Sequence, residues 1–78
     1  MHEVGVAKEI LGLVLEKAQG WRIKRLKVEL GDDGHTTPQT LRNAFEMVAK
    51  GTIAEGASLA ISRTKDLESR LLEFEVEK

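Results

Sequence analysis

Thr37-Pro38-Gln39-Thr40-Leu41-Arg42-Asn43-Ala44-Phe45-Glu46-Met47-Val48-Ala49-Lys50-Gly51 carries a helix from its start signal to its stop signal. Thr37 is an N-cap residue, and Pro38 follows at the first helical position, where a missing N–H costs nothing. Leu41, Ala44, Phe45 and Val48 then recur at spacings of three and four, the stripe of an amphipathic helix. Lys50-Gly51 closes it. A helix with one apolar stripe must cover something, so the segments on either side decide the fold.

Upstream, residues 22–30 alternate Leu26, Val28 and Leu30 with Arg25, Lys27 and Glu29, the period of a half-buried strand. Gly31-Asp32-Asp33-Gly34 ends that strand with turn chemistry. Downstream of the helix, Glu55-Gly56 belongs to a short polar connection, after which residues 57–63 place Leu59 and Ile61 on one face. Residues 64–67 read as a turn. Residues 70–78 alternate again, with Leu72, Phe74 and Val76 expected inward and Glu73, Glu75 and Glu77 outward. The short turn predicts that these last two strands pair as a hairpin.

At the other end, residues 4–18 carry a second helical stripe of Val6, Ala7, Ile10, Leu11, Val14, Leu15 and Ala18. Glu3 and Lys17 suit the two ends of its dipole, and Gly20 supplies a stop. Gly5 and Gly12 each weaken helix propensity by up to about 1 kcal/mol relative to Ala. One of them is therefore expected where the helix backbone approaches the sheet closely. Trp21 is expected to cap the core at the start of the first strand.

The element order is thus α-β-α-β-β. It predicts an α/β chain of the two-layer α+β kind, with two helices packed on one face of a three-stranded mixed or antiparallel sheet. The other face is expected to be polar and solvated. Arg22-Ile23-Lys24-Arg25-Leu26-Lys27 is basic, whereas Glu68, Glu73, Glu75 and Glu77 make the last segment acidic. If those two segments are neighbours, their charges complement each other across the sheet.

Composition narrows the function. With 78 residues, the chain reads as one domain over residues 1–78 with one thin core, so any site belongs on the surface or at a chain end. There are no cysteines, which removes a disulfide scaffold, a zinc ribbon and a thiol nucleophile. Lys8, Glu9 and Glu16 interrupt the apolar runs, no stretch approaches the ~20 apolar residues of a membrane span, and the start lacks the basic region of a signal peptide. A cytoplasmic location is the expectation. The balance of 12 Lys plus Arg against 13 Asp plus Glu gives a net charge of -1, with no overall pull toward nucleic acid or an anionic membrane. A domain this small gains from a partner, so a homodimer or docking on another protein is open.

Met1-His2-Glu3 is the stretch that carries chemistry. A free α-amine on Met1, the amide nitrogen of His2 and the His2 imidazole can hold one metal ion in two fused chelate rings. Glu3 adds a fourth donor through its amide nitrogen or its carboxylate. Nitrogen-rich donors in a plane suit Ni(II) or Cu(II) better than tetrahedral zinc. The bland alternative is a solvated histidine at a frayed chain end.

The tripeptide stands in telling company. It is followed by the first helix, by Lys24-Arg25-Leu26-Lys27-Val28-Glu29-Leu30-Gly31, and then by the second helix, whose Ala44-Phe45-Glu46 runs on to Gly51-Thr52-Ile53-Ala54-Glu55-Gly56-Ala57. Together with Leu72-Glu73-Phe74-Glu75-Val76-Glu77 these stretches resemble the HypA/HybF family of hydrogenase nickel-incorporation proteins. The resemblance implies a nickel metallochaperone, with Ni(II) at His2 and Glu3 beside it. It also implies delivery to a nickel-enzyme large subunit, of hydrogenase or possibly urease, together with a HypB-like maturation GTPase. Members of that family carry a zinc ribbon with two Cys-x-x-Cys pairs between the last two strands. This chain has Thr64-Lys65-Asp66-Leu67 there, so it reads as a HypA-like nickel-binding domain without the zinc-ribbon insertion, and no zinc is expected.

His35 follows the turn carboxylates and would complete the nickel site if its loop folds toward the chain start; otherwise it is a solvated loop histidine. An enzyme is not expected, because no serine or cysteine nucleophile is paired with a histidine and Gly51-Thr52-Ile53-Ala54-Glu55-Gly56 lacks the lysine of a phosphate loop. The rival to a metallochaperone is a metal-independent interaction or regulatory module that kept the fold. A nucleic-acid module would need more aromatic platforms than Trp21, Phe45 and Phe74 supply.

Overall fold

The structure is a computed structural model and describes residues 2–78. Helix α1 (His2–Ala18) leads into strand β1 (Ile23–Leu30), helix α2 (Pro38–Ala49), strand β2 (Ser58–Arg63) and strand β3 (Arg70–Val76). This is the expected order, and both helices pack against the sheet from one side. α1 ends as its sequence requires. Gln19 and Gly20 turn into the left-handed region, at φ 50° and 88°, and the Trp21 N–H donates to the Ala18 carbonyl.

Thr37 caps α2 with extended backbone, its side chain accepting from the Thr40 N–H while the Thr40 hydroxyl accepts from the Thr37 N–H. The pair is a capping box with threonine in the place usually taken by glutamate. Leu41, Ala44, Phe45 and Ala49 point into the core, where Leu41 and Phe45 are 0% and 2% exposed. Each large side chain buried in this way contributes about 1.5–3 kcal/mol. From α1, Ala7, Ile10, Leu11, Val14 and Ala18 meet them over Ile23, Leu26, Val28 and Leu30 of β1.

The sheet has the order β2-β1-β3, which corrects the expected hairpin. β1 is central, parallel to β2 and antiparallel to β3. A strand-helix-strand unit naturally sets its two strands parallel, and here β2 takes one side of β1 and leaves the other for β3. The connection between β2 and β3 therefore crosses the end of β1 instead of turning tightly. It is stitched there by Thr64 N–H to the Leu30 carbonyl, Asp32 N–H to the Asp66 carbonyl, and Gly31 N–H to the Ser69 hydroxyl, at 3.0, 2.8 and 2.7 Å.

The central placement of β1 realises the charge complementarity. Arg25 meets Glu75, Lys27 meets Glu73 and Glu29 meets Arg70, with closest N–O separations of 2.7, 3.9 and 2.9 Å. Within β3 the expected alternation is broken. Lys27 lies opposite Glu73 but Val28 opposite Leu71, so Leu72 is an extra residue at a bulge. Leu71 packs against the core, and Leu72, expected inward, is 45% exposed.

Two further expectations are corrected. A Cβ built on Gly5 or Gly12 meets nothing within 4 Å, so neither glycine marks a close approach. That role belongs to Gly31, whose Cβ would lie 2.5 Å from the Leu67 carbonyl oxygen. Trp21 is 51% exposed and does not cap the core. Its place is filled by the connection after α2, where Ala54 is buried and the Ile53 carbonyl accepts from the Ile23 N–H.

Candidate metal centre at the start of the first helix

The chain enters α1 at His2, with Glu3 half-buried in the first turn. The first N–H groups of an α-helix have no carbonyl four residues earlier to bond with. The amides of His2 and Glu3 are such groups, so their use as metal donors sacrifices no bond of the helix ladder. Val4 and Val6, immediately following, pack against the core and anchor the turn. Of the expected ligands, Met1 and the His2 side chain lie outside the described residues.

α1 runs alongside β3 in the same direction. Val6, Glu9, Ile10 and Leu13 share a groove with Ser69 and Arg70 near its start, and Lys17 shares another with Leu71 and Phe74 near its end. The start of α1 therefore sits at the end of the sheet where β1 finishes, with the 31–37 loop and the β2–β3 connection. His35 belongs to that loop and is exposed. Its backbone N–H donates to the Asp33 carboxylate at 2.8 Å, and the same carboxylate accepts from the Thr36 N–H and hydroxyl at 2.7 Å each. Asp33 thus shapes the loop through three hydrogen bonds to His35 and Thr36. Among the described residues, no group of three or more His, Cys, Asp or Glu comes together. The backbone nitrogens of the first turn are the donors that this end of the molecule adds.

One polar contact near the sheet was not legible in the sequence. The Arg42 guanidinium of α2 donates to the Leu59 carbonyl of β2. Arg42 reads only as an ordinary residue beside the apolar stripe, and nothing in its spacing points to a strand seventeen residues on.

The order of elements and the mixed three-stranded sheet define a small two-layer α+β protein. Residues 1–68 match the family described as hydrogenase/urease nickel incorporation, metallochaperone, hypA. The chain belongs to that family, whose members are maturation factors and not enzymes. It is 35% identical over 65 residues to the hydrogenase maturation factor HypA of Crocosphaera subtropica, covering 83% of this chain and 57% of that one. It is 36% identical to the HypA of Methylocella silvestris over 85 residues, covering 90% of this chain and 75% of that one. The chain spans little more than half the length of the first of these relatives. The fold is shared with the solution structure of the Ni metallochaperone HypA from Helicobacter pylori, with a TM-score of 0.78 over 95% of this chain and 96% of that one at 19% identity.

Proposed function

We propose that this chain binds Ni(II) as cargo through Met1, His2 and Glu3 and passes it on during the maturation of a nickel enzyme. The observation that carries the reading is the position of the tripeptide. His2 and Glu3 occupy the first turn of α1, where amide nitrogens lack helix partners. Electrostatics make a demand of their own at this place. The N-terminus of a helix behaves as roughly half a positive charge, which opposes a divalent cation. Negative ligands must therefore arrive with the metal, and a deprotonated amide together with the Glu3 carboxylate supplies them. The imidazole of His2 is the side chain that selects Ni(II) over harder ions.

The client in this reading is the large subunit of a NiFe hydrogenase, with urease as a second recipient of the same cargo. A HypB-like GTPase in the cytoplasm is the partner. The zinc lobe is not required for the nickel donors named here, and His35 stands as a candidate additional ligand because its loop shares the end of the molecule with the start of α1.

The test is a calorimetric titration of untagged protein with Ni(II) at neutral pH, repeated with His2→Ala and with the α-amine acetylated. Both changes are expected to abolish binding, and His35→Ala to weaken it if that loop closes on the metal. Nickel binding that is absent, or indifferent to His2, would favour the metal-independent interaction module instead. Supplying the protein to nickel-free hydrogenase large subunit then checks delivery, with wild type transferring nickel and His2→Ala failing to do so.

A further inference from the structure

We propose that the outer edge of β3 is a docking edge for an extended segment of a partner protein in which basic and apolar residues alternate. The two edges of the sheet are finished differently. On the β2 side, Arg42 already occupies the carbonyl of Leu59, an acceptor on that strand. Along β3, among the described residues, the backbone hydrogen bonds lead to β1, as from the Glu77 N–H to the Arg22 carbonyl. Beyond the bulge at Leu72, residues 73–76 continue beside β1 and leave alternate N–H and C=O groups facing away from it. Such an edge accepts an added strand through main-chain hydrogen bonds, while side chains set its specificity.

Charge fixes the occupant. On the open face the side chains form columns across the strands. Arg25 has Ser58 on one side and Glu75 on the other, and Lys27 has Ala60 on one side and Glu73 on the other. These two columns run neutral, basic, acidic, whereas Ser62, Glu29 and Arg70 before the bulge run neutral, acidic, basic; a basic strand beside residues 73–76 of β3 therefore continues the sequence there. Even in their ion pairs the side chains of Glu73 and Glu75 are 71% and 48% exposed, leaving each a side for a second cation. Along this edge Lys17, Leu71, Leu72, Glu73 and Phe74 border a groove of about 380 Å³, where intervening apolar residues of the partner would meet Leu71, Leu72 and Phe74.

A second copy of this chain is not the occupant of this edge. Symmetric antiparallel pairing of β3 centred on Glu73, Phe74 or Glu75 sets glutamate opposite glutamate, and a slip by one residue sets Glu73 or Glu75 against Phe74. Docking at this edge requires no nickel, and it is tested without metal. Isotope-labelled protein is titrated with a synthetic heptapeptide of alternating lysine and valine, and with its glutamate-valine counterpart. The lysine peptide is expected to move the amide resonances of residues 72–77 and to slow the exchange of β3 amides, with the glutamate peptide silent. E73Q/E75Q, nearly isosteric and checked for folding by its spectrum, should weaken the lysine peptide at least about threefold. Equal response to both peptides, an affinity unchanged in E73Q/E75Q, or β3 resonances that stay still up to about millimolar peptide would each overturn the proposal.

Discussion

Gly31 sits where β1 ends and the β2–β3 connection crosses, and a side chain there would meet the backbone of Leu67 and Glu68. Backbone cannot rotate away as a side chain can. Gly31→Ala should therefore destabilise the fold by about 2 kcal/mol or more, read as a lower denaturant midpoint. Gly12→Ala is expected to do the opposite. It lies on the exposed side of α1 with open space around it, so it should gain up to about 1 kcal/mol from helix propensity in the same measurement. Neither outcome follows from the sequence, where Gly12 interrupts a helix and looks costly to replace while Gly31 looks like one more turn residue. The candidate metal site has its own prediction at this scale. An imidazole must lose its proton to bind metal, and its ordinary pKa is about 6.5. Nickel affinity should fall steeply as the pH drops through that value, by about tenfold per unit for each proton displaced, and go on rising above it because the α-amine and the amide also give up protons, as measured by titrations from pH 8 to about pH 5.5.

Local patterns decide each element, while their arrangement depends on contacts that alternation does not encode. The stripes of α1 and α2 and the alternation of β1 repeat the backbone period, so residue spacing alone makes them legible. Leu71 and Leu72 are not, because one extra residue at a bulge moves every following side chain to the other face, and two adjacent leucines leave the phase open. The hairpin expectation fails for a related reason, since strand periodicity says nothing of which neighbour a strand chooses. The charge pattern does contain that information: acidic β3 belongs beside basic β1, and beside β2 it would have met Ser58, Ala60 and Ser62. The loop before α2 supplies a test of how one element is held. Asp33 fixes it through three hydrogen bonds to His35 and Thr36, and Thr36 is 5% exposed. Asp33→Ala removes the acceptor that those donors share and should cost about 1–3 kcal/mol by thermal or chemical unfolding. Retained stability would show that the loop's shape is held by other contacts.

At the scale of the whole molecule, the two ends of the sheet have different work. One end holds the turns after α2, tied to β1 through the Ile23–Ile53 bond. The other gathers the start of α1, the loop with His35 and the stitched crossing at Gly31. No described helix is long and apolar enough to cross a membrane. The end proposed to hold the metal is readable from the sequence because a candidate chelating tripeptide needs no tertiary arrangement to be seen, and because the stretch around Ala44-Phe45-Glu46 carries the family likeness. What the tripeptide alone does not convey is that it opens directly into a helix, so that the amides it offers are already without helix partners. The proposed nickel site lies at that opening. It is tested most directly by adding one equivalent of Ni(II) to isotope-labelled, untagged protein and mapping which amide resonances change. The predicted changes are confined to the first turn of α1, with His35 the furthest residue to respond. Changes centred elsewhere, with residues 2–6 undisturbed, would contradict it.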